Sequence, residues 1–144
     1  MDKLRRVLIV DDDEAFAESN KDLLEAYGYE VFMAFDGTVG VDIARNVKPD
    51  LMILDVMMTT NTEGFDVARA VREIPELAQM AILMVTGVVD ALKLPQHLKP
   101  DSNWLPVNRV LEKPIDPARL VREVEQIFEE EEADRKSVNW WKRE

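Results

Sequence analysis

Short apolar runs alternate with stretches of helical periodicity from the first residues onward. Val7-Leu8-Ile9-Val10 is an uninterrupted apolar run, the pattern of a strand buried on both faces. Phe16, Leu23, Leu24 and Tyr27 then recur at helical spacing, and Gly28 supplies a C-terminal stop. A second strand is predicted over residues 30–35, ahead of an Asp36-Gly37 turn. Val39, Ile43 and Val47, each four apart, mark a second helix that ends before Pro49. Leu51-Met52-Ile53-Leu54 is another buried-type run, closed by Asp55. A polar loop over residues 59–63 leads to a third helix over residues 64–73. A fourth strand over residues 81–85 stops at Thr86-Gly87, and a fifth over residues 107–111 stops at Glu112-Lys113-Pro114. Asp116 has the place of an N-cap and Pro117 that of a first helical residue. Leu120, Val121, Val124, Ile127 and Phe128 draw the apolar stripe of the last helix. Repeated strand–helix units predict a parallel sheet covered by helices on both faces.

One segment breaks the alternation. Between Thr86 and Lys113 the chain carries Pro95, Pro100 and Pro106, with only a short helical possibility around residues 89–92. Each proline removes a backbone donor and disfavours helical geometry before it, so a long loop or a stunted helix is predicted there. After Phe128 the stripe stops: Glu129 to Glu132 are consecutive acids, and the chain closes with Trp140-Trp141 and three further residues. Glu131 and Glu132 lie four residues ahead of Arg135 and Lys136, a spacing that supports a solvated helical continuation. The expected division is a folded domain over residues 1–128 and an acidic, aromatic tail over residues 129–144, with no internal repeat and no Gly/Ser linker.

With 144 residues, 47% of them hydrophobic, the chain is one domain's length and can bury a real core. It has no cysteine, which removes disulfide frameworks and thiolate metal sites. A formal charge of −11 argues against nonspecific binding to nucleic acid or anionic lipid, and a basic partner surface is the more natural expectation. The apolar stretch after the charged N-terminus is too short for a signal-peptide core, and no stretch is long enough to span a bilayer. The expectation is a soluble, cytoplasmic protein that binds neither nucleic acid nor membrane.

The strand ends carry the chemistry. Asp11, Asp12 and Asp13 follow the first strand, Asp55 the third, Thr86 the fourth and Lys113 the fifth. In an open parallel sheet all these ends share one edge, and ligands bind there, where the strand order reverses. Carboxylates gathered at that point repel by about 4 kcal/mol per pair at 4 Å and an effective dielectric near 20, so the cluster asks for a cation. Magnesium takes hard oxygen ligands, lysine supplies a mobile positive charge for phosphate, and a hydroxyl supplies a donor. These are the parts of a phosphoryl-transfer site, in which a carboxylate can itself be the nucleophile. An isolated aspartate after a strand is most often a helix cap, and Asp13 is read that way. His97, the sole histidine, lies among prolines and lysines and is read as structural or solvated. Trp140 and Trp141 are either a docking patch or a packed-back tail.

Four pieces in order, Val7-Leu8-Ile9-Val10-Asp11-Asp12-Asp13, Leu54-Asp55-Val56-Met57-Met58 with Gly64-Phe65, Val85-Thr86-Gly87 and Glu112-Lys113-Pro114, give the chain its resemblance to a known family. It resembles the receiver domains of two-component response regulators over nearly its whole length. The resemblance implies a flavodoxin-like, doubly wound five-stranded parallel sheet in the order 2-1-3-4-5, here with the fourth helix short or replaced by a loop. It implies Asp55 as the acceptor of a phosphoryl group from a partner histidine kinase or phosphotransfer protein. Asp12 would bind Mg2+ directly, Asp11 would assist, and the Met57 carbonyl would complete the protein ligands around Asp55. Thr86 and Lys113 would each bind a phosphoryl oxygen. The sequence departs from the family pattern where Thr59 stands in place of a proline, where the loop to Gly64 is one residue longer, at Gly87 in place of alanine, and at Val110, where the family usually has a switch aromatic.

The leading expectation is a phosphoacceptor module, not an enzyme. With no output domain after Phe128, it would pass its signal by binding a downstream protein effector or by onward phosphotransfer. One rival is a receiver-like adaptor that is never phosphorylated. The other is a magnesium-dependent phosphohydrolase, in which Asp11 and Asp13 would be the paired acids but Asp55 and Lys113 would have no role.

Overall fold

The computed structural model describes residues 4–56, 63–87 and 107–139, with residues 63 and 135–139 as backbone. The chain divides into two compact units, Met1–Pro114 and Ile115–Glu144.

The first unit holds the sheet. Its strands are β1 (Arg6–Val10), β2 (Glu30–Ala34), β3 (Leu51–Asp55), β4 (Ala81–Thr86) and β5 (Arg109–Glu112). They lie in the order β2-β1-β3-β4-β5, every neighbouring pair parallel, which is the flavodoxin-like order expected. The three inner strands are the ones with unbroken apolar runs, and Val7 to Val10, Leu51 to Leu54 and Ala81 to Val85 are all buried. A side chain of this size contributes roughly 1.5–3 kcal/mol when fully buried, so these runs fix the centre of the sheet. Leu8, Val10, Met52, Leu54 and Met84 form one core cluster with residues of the helices α2 (Gly37–Val47) and α3 (Glu63–Glu73), among them Ala44, Ala68 and Val71. Strand alternation turns Val7, Ile9, Leu51 and Ile53 to the opposite face. Helix α1 (Glu14–Ala26) packs along β1 and β2.

Two helical stripes differ from the sequence reading. In α1 the fully buried residues are Ala17 and Leu24, whereas Tyr27 sits at the C-cap and is 59% exposed. Gly28 ends the helix as expected, with φ +94°. In α2 the buried residues are Gly37, Gly40 and Ala44, while Val39 is exposed. The reason is close approach: a Cβ on Gly40 would lie 2.9 Å from Cγ2 of Val10, so only small residues fit between this helix and β1. The fifth strand begins at Arg109 and not at Val107. Asn108 takes the intervening position, its side chain accepting the Ile82 N–H at 2.8 Å while its own N–H donates to the Ile82 carbonyl at 2.8 Å.

In the second unit, α4 (Pro117–Asn139) starts at Pro117, with the Asp116 carbonyl accepting the N–H groups of Arg119 and Leu120. Leu120, Val121, Val124, Ile127 and Phe128 are buried as the stripe requires. The helix continues through Glu129 to Glu132, as the charge spacing predicts. Among the described residues, no helix is long and apolar enough to cross a membrane. The expectations for the fourth helix and its prolines, for the loop after Met58, for His97 and for Trp140-Trp141 lie outside the described residues.

Candidate functional site

Strands β1 and β3 are neighbours with Val10 paired to Leu54, so Asp11 and Asp55 stand side by side. Chain order reverses between these two strands, which makes their carboxyl ends the switch point of the sheet. Asp11 is held at the end of β1 by its N–H, which donates to the Ala34 carbonyl at 3.0 Å. Its Oδ1 accepts the Asp13 N–H at 2.9 Å, folding the acidic run back on itself. Asp13 in turn is the N-cap of α1, its carboxylate accepting the Phe16 N–H at 3.1 Å. Asp13 is therefore a cap, as read from the sequence, and Asp12 is left exposed between the two turns.

One carboxylate oxygen each from Asp11, Asp12 and Asp55 falls within 4.8 Å of the others. Asp11 is 1% and Asp55 5% exposed, so water screens little of their repulsion. Lys113 supplies part of the compensation. Its Nζ lies 2.8 Å from Oδ2 of Asp11 and 4.0 Å from Oδ2 of Asp55. Among the described residues, three carboxylates meet one ammonium here, a surplus of negative charge that a divalent cation would offset. The donor set is all hard oxygen, the chemistry that suits Mg2+.

The lysine is placed by the β4–β5 pairing. Thr86 pairs with Glu112 at the end of the ladder, and the Thr86 carbonyl accepts the Lys113 N–H at 2.7 Å. Thr86 is fully buried, one residue beyond Val85, the strand partner of Asp55. Gly87 lies beside the lysine stem; a Cβ there would meet Cβ and Cδ of Lys113 at 3.8 Å, ordinary contact distance, so alanine would also fit. Gly64 is under a tighter restraint. Its N–H donates to the Val56 carbonyl at 3.0 Å, and a Cβ would lie 2.5 Å from Cα of Val56 and closer still to the Asp55 carbonyl. The start of α3 thus presses directly on the backbone that carries Asp55. Val110 is half-buried against the core cluster, opposite Met84.

Asp11, Asp12, Asp55 and Lys113 converge, and Thr86 closes the strand beside them; Met57 lies outside the described residues. Sequence reading missed one residue. The ring of Phe16, counted only as part of the α1 stripe, has its centroid 4.1 Å from Nζ of Lys113. The available signal was its place in the first turn after the cap, at the same edge as the acids.

A flavodoxin-like sheet with a carboxylate cluster and a lysine at its switch point defines the class. Comparison with known proteins gives the family: the response regulator receiver domain matches residues 7–125, and the chain belongs to it. The DNA-binding dual master transcriptional regulator RpaA of a Synechocystis species is 37% identical over 83 residues, 58% of this chain and 34% of that protein. The response regulator MprA of a Mycobacterium species is 40% identical over 82 residues, 57% of this chain and 34% of that protein. The chain matches about a third of the length of these relatives. Because the first is named as DNA-binding, the expectation of no nucleic-acid partner finds no support here. Among solved structures, a CheY-like receiver domain protein from Methanospirillum hungatei JF-1 superposes with a TM-score of 0.77 at 27% identity, covering 92% of this chain and 99% of the other.

Proposed function

We propose that this receiver domain is a phosphoacceptor, with Asp55 taking a phosphoryl group from a phosphohistidine on a partner histidine kinase or phosphotransfer protein. An oxygen of the Asp55 carboxylate attacks phosphorus in line. The P–O bond forms as the P–N bond breaks, and the electron pair of that bond stays on the donor imidazole nitrogen. Asp11, Asp12 and Asp55, with the Met57 carbonyl, would hold Mg2+, which would supply neutralising charge for the phosphoryl oxygens. Thr86 donates its hydroxyl to one phosphoryl oxygen. Lys113 shifts its ammonium from Asp11 to another, a movement suited to a flexible point charge. Residues 1–128 are the signalling module, acting in the cytoplasm through a downstream protein effector or onward phosphotransfer, and residues 129–144 are its tail.

The observation that carries this reading is the convergence at the switch point, among the described residues, of three carboxylates, two of them buried, with the Lys113 ammonium reaching in to them. The phosphohydrolase reading needs Asp13 free as a second acid, and Asp13 is committed to capping α1. Acetyl phosphate with Mg2+ should yield one hydroxylamine-labile phosphoryl group per chain. An unlabelled protein would favour the adaptor, and sustained release of phosphate from esters would favour the hydrolase.

A further inference from the structure

We propose that Phe16 is a positioning residue for Lys113, holding the ammonium at the site by its ring face while leaving its N–H donors free for carboxylate and phosphoryl oxygen. The inference deepens the phosphoacceptor reading and rests on it. Nζ of Lys113 sits between Oδ2 of Asp11 at 2.8 Å and the Phe16 ring centroid at 4.1 Å. The backbone that carries the ring is fixed from behind. Phe16 donates its N–H to the Asp13 carboxylate, Asp13 donates its own N–H to Oδ1 of Asp11, and Asp11 accepts from Lys113. Asp11, Asp13, Phe16 and Lys113 therefore close a ring of contacts around the ammonium.

The chemistry of the ring face matters. A lysine ammonium ends a stem of four rotatable carbons and has three donors. A carbonyl or carboxylate in the place of Phe16 would occupy one donor and anchor the charge against the shift from Asp11 to a phosphoryl oxygen. An aromatic face attracts the charge through its quadrupole, weakly dependent on direction, and takes no hydrogen bond away. The ammonium can then exchange one oxygen partner for another without leaving the ring. With the lysine side chain 21% exposed, the attraction lies in the intermediate range for such contacts, a factor of roughly 3 to 10 in an equilibrium.

The test uses the full chain with Phe16→Leu, which keeps an apolar side chain but removes the π face, and Phe16→Tyr, which keeps the face. In the metal-free protein the Lys113 ε-methylene protons should be shifted upfield by the ring in wild type and Phe16→Tyr, and lose that shift in Phe16→Leu. With Mg2+ saturating, Phe16→Leu should bind beryllium fluoride roughly 3- to 10-fold more weakly than wild type, with Phe16→Tyr close to wild type and no loss of Mg2+ affinity in either variant. Absence of the upfield shift in wild type would overturn the proposal. So would equal beryllium fluoride affinity in Phe16→Leu, or a parallel loss of Mg2+ affinity and thermal stability, the mark of a purely structural role. If wild type itself binds no beryllium fluoride, the phosphoacceptor reading falls and takes the positioning role with it, whereas wild-type binding with an unaffected Phe16→Leu overturns the positioning role alone.

Discussion

Lys113 and Asp11 lie 102 positions apart in the chain, and their side chains meet at 2.8 Å, joining the end of the last strand to the end of the first. The Asp11 side chain is nearly fully buried, so among the described residues this pair compensates a charge that water does not reach. Breaking a buried pair by removing one partner costs more than the pair contributes, because the other charge is stranded. Lys113→Met should destabilise the metal-free protein by about 2 kcal/mol, below the fully buried range because the lysine is partly exposed. Magnesium should restore most of that loss, since a ligand that binds only the folded state stabilises it. Urea denaturation with and without Mg2+ measures both. Mg2+ affinity should also rise in this variant, because the ammonium competes for the same carboxylates.

The acidic run divides its labour residue by residue. Asp12→Ala removes an exposed carboxylate of the proposed Mg2+ site and should weaken Mg2+ binding roughly tenfold or more, with little change in stability. Asp13→Ala removes the N-cap of α1 and should cost about 1 kcal/mol of stability with little change in Mg2+ affinity. Metal titration and denaturation of the two variants should give opposite orders.

Gly64 leaves no space for a side chain against Asp55 and Val56. Gly64→Ala must displace the start of α3 or the strand end itself, and overpacking of this kind costs about 1–3 kcal/mol. A lower denaturation midpoint, accompanied by slower labelling of Asp55, is the expected outcome. Gly87→Ala, where the extra methyl would make ordinary contact with Lys113, should leave the midpoint nearly unchanged.

The parts of this structure legible in the sequence are those set by short-range pattern. Val7 to Val10 and Leu51 to Leu54 read as inner strands because both faces are buried, and that forced Asp11 and Asp55 to neighbouring strand ends. Asp13 was legible as a cap because capping needs only three residues of context. Features that depend on distance between elements were not legible. Periodicity chose Val39 for the inner face of α2, but the approach of that helix to Val10 reserves the face for Gly40 and Ala44. Asn108 was read as part of a strand and instead bridges to Ile82 across the sheet. The meeting of Phe16 with Lys113 required the placement of α1 over the strand ends, which no local spacing encodes.

Whether Asp55 is the phosphoryl acceptor is read out by intact-mass analysis after incubation with a small phosphodonor and Mg2+. Wild type should gain the mass of one phosphoryl group, and Asp55→Asn, which preserves shape but lacks the nucleophilic carboxylate, should gain none. Equal labelling of the Asp55→Asn variant would contradict the account.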